Sequence, residues 1–235
     1  KVFNSLKFSF TTGAHSSNAK SILPWRNVPL KTGLLKDVLI NDNDLAAILF
    51  TSGGTGTPKG VEYSHHIFAK QTNMLQELFD LKPTEIDLPG FPLFSLFTIS
   101  MGMTSVIPDM DPSKPAKVNP KKIIQNIIDK KTTFIAGSPA IWDKVGQYCI
   151  KKNIKLPTVK YLVMFGAPVS PKIHKMWKNI LVNGTTYTPY GATECLPITC
   201  ISGTQLEGYK TKENIAGAGT CVGKPVQNVN IKIIH

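Results

Sequence analysis

Hydrophobic positions along this chain form short solid runs alternating with stretches at helical spacing. Residues 45–50, Leu-Ala-Ala-Ile-Leu-Phe, are an apolar run that predicts a buried strand leading into the loop that follows. His65 to Leu81 reads as an amphipathic helix, and Ile123, Ile124, Ile127 and Ile128 give the apolar stripe of another. Short runs at 104–108, 133–136 and 159–165 predict strands. Asn119-Pro120, Ser138-Pro139 and Ser170-Pro171 each set a capping side chain before a proline at the first helical position. Two of these starts directly follow predicted strands. The expected fold class is therefore α/β, with alternating strands and helices, mostly parallel sheets, and ligand groups gathered at the strands' C-terminal ends. Residues 1–40 show little periodicity and read as an irregular lead-in or a stitched fragment before a domain spanning 41–235.

One stretch imitates a membrane helix, because Leu88 to Ser105 carries no charge. Pro89, Pro92, Gly90 and Gly102 interrupt it, and its serines and threonines make it too polar to span a bilayer. A buried helix flanked by two strands is expected instead, with an apolar surface able to line a channel.

Composition adds limits. A chain of 235 residues, 42% hydrophobic, can bury a substantial core. Its formal charge of +12 invites a nucleic-acid reading, but Arg26 is the only arginine and the lysines are scattered. The pairs Lys121-Lys122, Lys130-Lys131 and Lys151-Lys152 flank predicted helices and read as solvated faces. No nucleic-acid partner is expected. Cys149, Cys195, Cys200 and Cys221 form neither a CxxC pair nor a zinc spacing, which suits reduced thiols in a cytoplasmic protein. His65 and His66 are expected in solvated or capping roles, His174 shows no metal-ligand spacing, and Trp142 and Trp177 are expected in the core.

The chemistry concentrates in Thr51-Ser52-Gly53-Gly54-Thr55-Gly56-Thr57-Pro58-Lys59-Gly60. Glycines let backbone N–H groups turn inward, hydroxyls add donors and Lys59 adds a mobile positive charge, so the loop suits phosphate. It is not a Walker A loop, which needs Gly before the lysine and Ser or Thr after it, nor a dinucleotide fingerprint, which needs a glycine where Lys59 stands. It closely resembles the phosphate loop of the acyl-adenylate-forming enzymes, the superfamily of acyl-CoA synthetases, nonribosomal peptide adenylation domains and firefly luciferase. Gly54 departs from that pattern, which usually has Ser or Thr there.

Further stretches carry the same resemblance in the family's order. Thr188-Pro189-Tyr190-Gly191-Ala192-Thr193-Glu194 is similar to its second signature, and Phe165-Gly166-Ala167-Pro168 to the strand end that forms one wall of the adenine slot. Gly217 to Pro225, followed by 229–234, is similar to the family's Gly-x-Pro turn and next strand. The resemblance implies that Thr51, Ser52, Gly53, Gly54, Thr55 and Gly56 grip the β- and γ-phosphates of ATP with Lys59 in support. It implies that Thr193 meets the α-phosphate and Glu194 carries Mg2+. Thr188, Tyr190, Gly191 and Ala192 with Gly166, Ala167 and Pro168 would hold the nucleotide. Lys59, Thr193 and Glu194 are the candidate catalytic residues.

Peptide adenylation domains that take α-amino acids pair the ammonium with a carboxylate, because a buried unpaired charge is costly. The matching stretch here, Phe91 to Phe97, has no acid, which favours an apolar acyl chain. Phe94, Ser95, Gly102 and Met103 are the candidate acyl-pocket residues. The wording resembles the branch containing fatty acid-CoA ligases and olefin-pathway β-lactone synthetases. It implies activation of a fatty or β-hydroxy fatty acid with release of pyrophosphate, then transfer to coenzyme A or closure of a β-lactone. The family's ribose-binding aspartate and its small C-terminal domain with the catalytic lysine are not found up to His235, so part of the large N-terminal domain is expected, with the C-terminal domain as its partner. The competing expectations are a nucleotide-binding module without turnover and a peptide synthetase adenylation domain.

Overall fold

The computed structural model describes residues 9–11, 22–24, 39–51, 58–209 and 219–234. The chain separates into two compact units, residues 1–39 and 40–235. Within the first, β1 (Ser9–Thr11) pairs in parallel with β2 (Ile22–Pro24).

The second unit begins with an antiparallel hairpin, β3 (Leu45–Thr51) and β4 (Lys59–Ser64), in which Thr51 pairs with Lys59. The expectation that residues 45–50 form a buried strand is corrected here. The hairpin is a separate two-stranded sheet, and Leu45, Ile48 and Phe50 are exposed, Phe50 to 74%. A strand paired on one side only, outside the main sheet, is not covered on both faces.

The main sheet has seven strands in the order β11-β10-β9-β8-β7-β5-β6. Its parallel part comprises β5 (Ile86–Pro89), β6 (Thr104–Ser105), β7 (Phe134–Gly137), β8 (Tyr161–Met164) and β9 (Thr185–Ala192). Strands β10 (Cys195–Ser202) and β11 (Lys224–Pro225) complete it in antiparallel fashion. The architecture is α/β with a mostly parallel sheet, as the alternating pattern predicts. Strand β6 is shorter than the expected 104–108. Residues 229–234 form no strand, a second correction: Ile233 and Ile234 are exposed, and among the described residues no strand pairs with them to satisfy their backbone groups.

Period-two alternation assigns the two faces of the sheet. Leu88, Ile135, Leu162 and Met164 point to one face, where α3 (Pro120–Lys130), α4 (Pro139–Lys152) and α5 (Pro171–Lys178) contribute Ile123, Ile127, Trp142, Val145 and Trp177 to one cluster. The ring N–H of Trp177 donates to the Trp142 carbonyl at 2.9 Å, joining α5 to α4. Phe134, Ala136 and Val163 point to the other face, against Phe79 from α1 (His65–Phe79) and Phe97 from α2 (Ser95–Ser100).

Two of the three expected cap-and-proline starts are closed by their capping side chains, as is the start of α1. Ser64 accepts from the Ile67 amide, Asn119 from Lys121 and Ser170 from Lys172, while the Ser138 side chain makes no cap bond. Helix α1 stops at Asp80, which adopts the left-handed conformation at φ 48°. Leu88 to Ser105 folds as strand, short helical turn, α2 and strand; no helix among the described residues is long and apolar enough to cross a membrane.

Candidate nucleotide and acyl site

Three strand ends build the site. Strand β8 runs out into Phe165-Gly166-Ala167-Pro168, β5 into Gly90 and Phe91, and β9 into the turn Thr193-Glu194 that joins it to β10. Ala192 and Cys195 pair across that turn, so Thr193 and Glu194 stand at a hairpin tip. Tyr63 of β4 holds the tip in place. Its phenol donates to the Thr193 carbonyl and accepts from the Gln71 amide of α1 at 3.2 Å. Burial raises the Tyr63 pKa, opposed by the Gln71 bond and reinforced by the nearby Glu194 and Cys195, so the phenol stays a donor. Tyr63 is the fifth residue of the strand that Lys59 begins, roughly 13 Å away along an extended backbone.

Two cavities meet at these strand ends. The first, about 400 Å³, is mostly apolar and is bordered by Phe94, Phe97, Met101, Phe134 and Val163, with Thr193 among its few polar groups. The second, about 920 Å³, is bordered by Ala167, Pro168, Ser170, His174, Thr188 and Thr220. Gly166, Pro189, Tyr190 and Gly191 border both and form the partition between them. Gly166 has φ +86° and nothing within 4 Å of the place a Cβ would occupy, so a side chain there would take up open space.

Gly166, Ala167, Pro168, Thr188, Tyr190, Gly191, Ala192 and Thr193 each border at least one of the two cavities. Thr51 and Lys59 close the β3–β4 hairpin around the loop and border neither, while Glu194 is exposed at the tip beside Thr193. Ser52, Gly53, Gly54, Thr55 and Gly56 lie outside the described residues. Of the acyl-pocket residues only Phe94 borders the first cavity. The Ser95 hydroxyl donates to the Pro92 carbonyl at 2.6 Å, Gly102 turns the chain at φ +83° against Pro83, and Met103 is buried in the core. Phe97 and Thr98 of α2 and Met101 just after it also border this cavity.

Three further side chains stand at or beside the site without a local sequence motif that assigns them to it. Tyr63 looks like an ordinary strand residue. His174 is buried, with Nδ1 2.8 Å from the Thr186 hydroxyl and Nε2 3.2 Å from that of Thr188, so α5 steadies β9 behind the second cavity. Asp87 borders the first cavity although Phe91 to Phe97 contains no acid. Its Oδ2 accepts from Thr98 at 2.7 Å and Ser105 at 3.4 Å, and burial pushes its pKa up to about 7 against those two bonds. A charged residue inside the buried strand Ile86-Asp87-Leu88-Pro89 is the signal that would have found it. Cys149, Cys195, Cys200 and Cys221 are free thiols; burial pushes Cys149 up to about 11 and Cys200 up to about 12, far from nucleophilic reactivity.

The arrangement fits a nucleotide. An aromatic ring at Tyr190, open space above Gly166 and the hydroxyls of Thr188 and Ser170 suit a base and sugar in the larger cavity. For magnesium, no group of three or more His, Cys, Asp or Glu exists among the described residues. A single exposed carboxylate at Glu194 fits an ion that takes one or two protein oxygens and completes its shell with water and phosphate.

The chain is similar to known adenylate-forming proteins. It is 44% identical over 193 residues to an olefin beta-lactone synthetase of Xanthomonas campestris pv. campestris, covering 82% of this chain and 34% of that protein. It is 28% identical over 216 residues to the acyl-CoA ligase sidI of Aspergillus fumigatus, covering 89% of this chain and 35% of the ligase. The chain thus spans about a third of the length of these curated relatives. Its fold matches the nonribosomal peptide synthetase FmoA3 in an α-methyl-L-serine-AMP bound form, with TM-score 0.67, 17% identity, and coverage of 77% of this chain and 21% of that one. The AMP-binding enzyme profile matches residues 7–235, and the chain belongs to that family.

Proposed function

We propose that the full-length protein activates a fatty acid, or a hydroxylated one, as its acyl adenylate and releases pyrophosphate. The observation that carries this reading is the pair of cavities sharing one wall. The apolar cavity suits an acyl chain and the larger one a nucleotide; Gly166, Tyr190 and Gly191 border both, and Thr193, two residues beyond Gly191 on the apolar side, would meet the ligands' reacting ends.

In that geometry a carboxylate oxygen attacks the α-phosphorus of ATP, and the bond to the β-phosphate oxygen breaks in line. The chain's residues place and screen charge. Thr193 would offer its hydroxyl from the apolar cavity's side of the shared wall, the Tyr63 bond holds its backbone, and Tyr190 with Gly166 and Ala167 sets the base. The loop of residues 52–57, closed by the Thr51–Lys59 pair, would take the β- and γ-phosphates. Magnesium, when bound, would neutralise phosphate charge, and Glu194 is the residue that would hold it. Phe94, Phe97 and Phe165 exclude water around the acyl chain.

The 44% identical relative named for β-lactone synthesis supports intramolecular ring closure of a β-hydroxyacyl adenylate as the second step, ahead of transfer to coenzyme A. Isotope exchange between pyrophosphate and ATP across a panel of carboxylic acids tests the first step on the complete polypeptide. Exchange restricted to apolar acids is expected; no exchange with any acid overturns the reading. Product analysis of a β-hydroxy fatty acid with ATP, with and without coenzyme A, separates lactone from thioester.

A further inference from the structure

Asp87 is out of place in an acyl pocket. Its neighbours across the sheet are Phe134 and Ser105, and it shares its face with Pro89 and Ala136. Leu75, Phe79, Leu81 and Met101 close the cavity around it. The residue is 1% exposed, so the carboxyl has left water almost completely. Oδ2 is satisfied by Thr98 and Ser105, whereas Oδ1 has no hydrogen-bond partner among the described residues. An orphaned buried oxygen is costly, and an apolar residue would fill the same position without that cost.

The sheet register places Asp87 far along the pocket. Asp87 is level with Phe134, Tyr161 and Thr185 on successive strands, and Thr193 lies eight residues further along β9 and its turn. A ligand whose carboxyl end sits at Thr193 therefore presents a more distant part of its chain to Asp87.

We infer that Asp87, seated by Thr98, is a specificity-determining residue that hydrogen-bonds a hydroxyl carried by the acyl chain away from its carboxyl end. This rests on the adenylation reading for the identity of the pocket. A hydroxyl suits the site because it donates to the ionised form of Asp87 and accepts from the protonated form. Burial holds this carboxyl near neutrality, so both forms matter. An ammonium group suits it less well: it needs a full countercharge and three acceptors, and Oδ1 is the one unsatisfied acceptor that Asp87 offers.

Calorimetric titration of the full-length protein with matched saturated acids tests this. The series comprises the plain acid and its 3-hydroxy, mid-chain hydroxy, terminal hydroxy and terminal amino forms, against the wild type, Asp87→Asn and Asp87→Leu. One mid-chain or terminal hydroxy acid is expected to bind at least about tenfold more tightly than the plain acid. Asp87→Leu brings that ratio to about one, while Asp87→Asn, which keeps a hydrogen-bonding group and the shape, retains part of it. Unfolding curves of both variants confirm that they fold. The assignment is overturned if the plain acid binds as well as every hydroxy acid, if none binds, if only the 3-hydroxy or amino form is preferred, or if Asp87→Leu leaves the ratio intact. Intact preference in binding together with no pyrophosphate exchange overturns the adenylation reading and leaves the role of Asp87 standing.

Discussion

The phenol of Tyr63 donates a hydrogen bond to the backbone carbonyl of Thr193, 130 residues away. It links the strand that leaves the phosphate-type loop to the turn carrying Thr193 and Glu194, so two signatures distant in sequence share one anchor.

Tyr63→Phe removes that donor while keeping the ring. A stability loss of about 1–2 kcal/mol in urea unfolding is expected from the stranded carbonyl. Pyrophosphate exchange should slow more than that loss implies, through kcat more than through the KM for ATP, because the turn loses its anchor. An exchange rate equal to the wild type would show that the bond has no part in positioning Thr193.

Asp87 sets a pH dependence of stability. Burial lifts its folded pKa to about 7, well above the ordinary aspartate range, so the folded state binds the proton more tightly. The resulting stability is fully present below pH 4 and is lost as pH rises from about 4 to 7, by roughly 4 kcal/mol for three pKa units. Asp87→Asn cannot titrate and should not share this slope. Unfolding free energies of the two proteins measured from pH 4 to 8 check it, and parallel curves refute it.

Gly166→Val places a branched side chain at φ +86° and into the space between the two cavities. Backbone strain of about 1–2 kcal/mol is expected, together with a much larger loss of nucleotide affinity. Titration with a non-hydrolysable ATP analogue separates the two effects. Affinity that falls no further than stability would remove Gly166 from the nucleotide wall.

Glu194→Gln leaves an exposed turn residue of similar shape, so the unfolding midpoint should not move. Pyrophosphate exchange should fall by about tenfold or more at limiting magnesium. An unchanged rate across the magnesium series would dismiss Glu194 as the metal ligand.

Trp177→Phe breaks the bond to the Trp142 carbonyl inside the helical layer, removing the link between α5 and α4 and leaving a gap where the indole lay. A destabilisation of about 2–4 kcal/mol is expected, with ligand affinities unchanged wherever the protein remains folded. Thermal unfolding followed by circular dichroism measures it.

Local signals in the chain were enough to lay out the α/β alternation. Proline after a capping residue, isoleucines at helical spacing in 123–128 and apolar runs at 133–136 and 159–165 act within a few residues; they became α3 and its fellow helices and the strands Phe134–Gly137 and Tyr161–Met164. The residues of the second signature fold as the end of β9 and its turn, where Thr188 to Thr193 border the cavities. Burial was not readable, since a solid apolar run looks the same whether or not a partner covers it; β3 and residues 229–234 show this. Nor was it possible to tell which residues of 94–103 face the cavity, because one step along a helix or strand changes the side: Thr98 and Met101 line it, and Ser95 and Met103 do not. Tertiary packing alone brought Tyr63 to Thr193 and left the carboxyl of Asp87 among phenylalanines. Those relationships depend on sheet order and register, which are set by contacts between residues far apart in the chain.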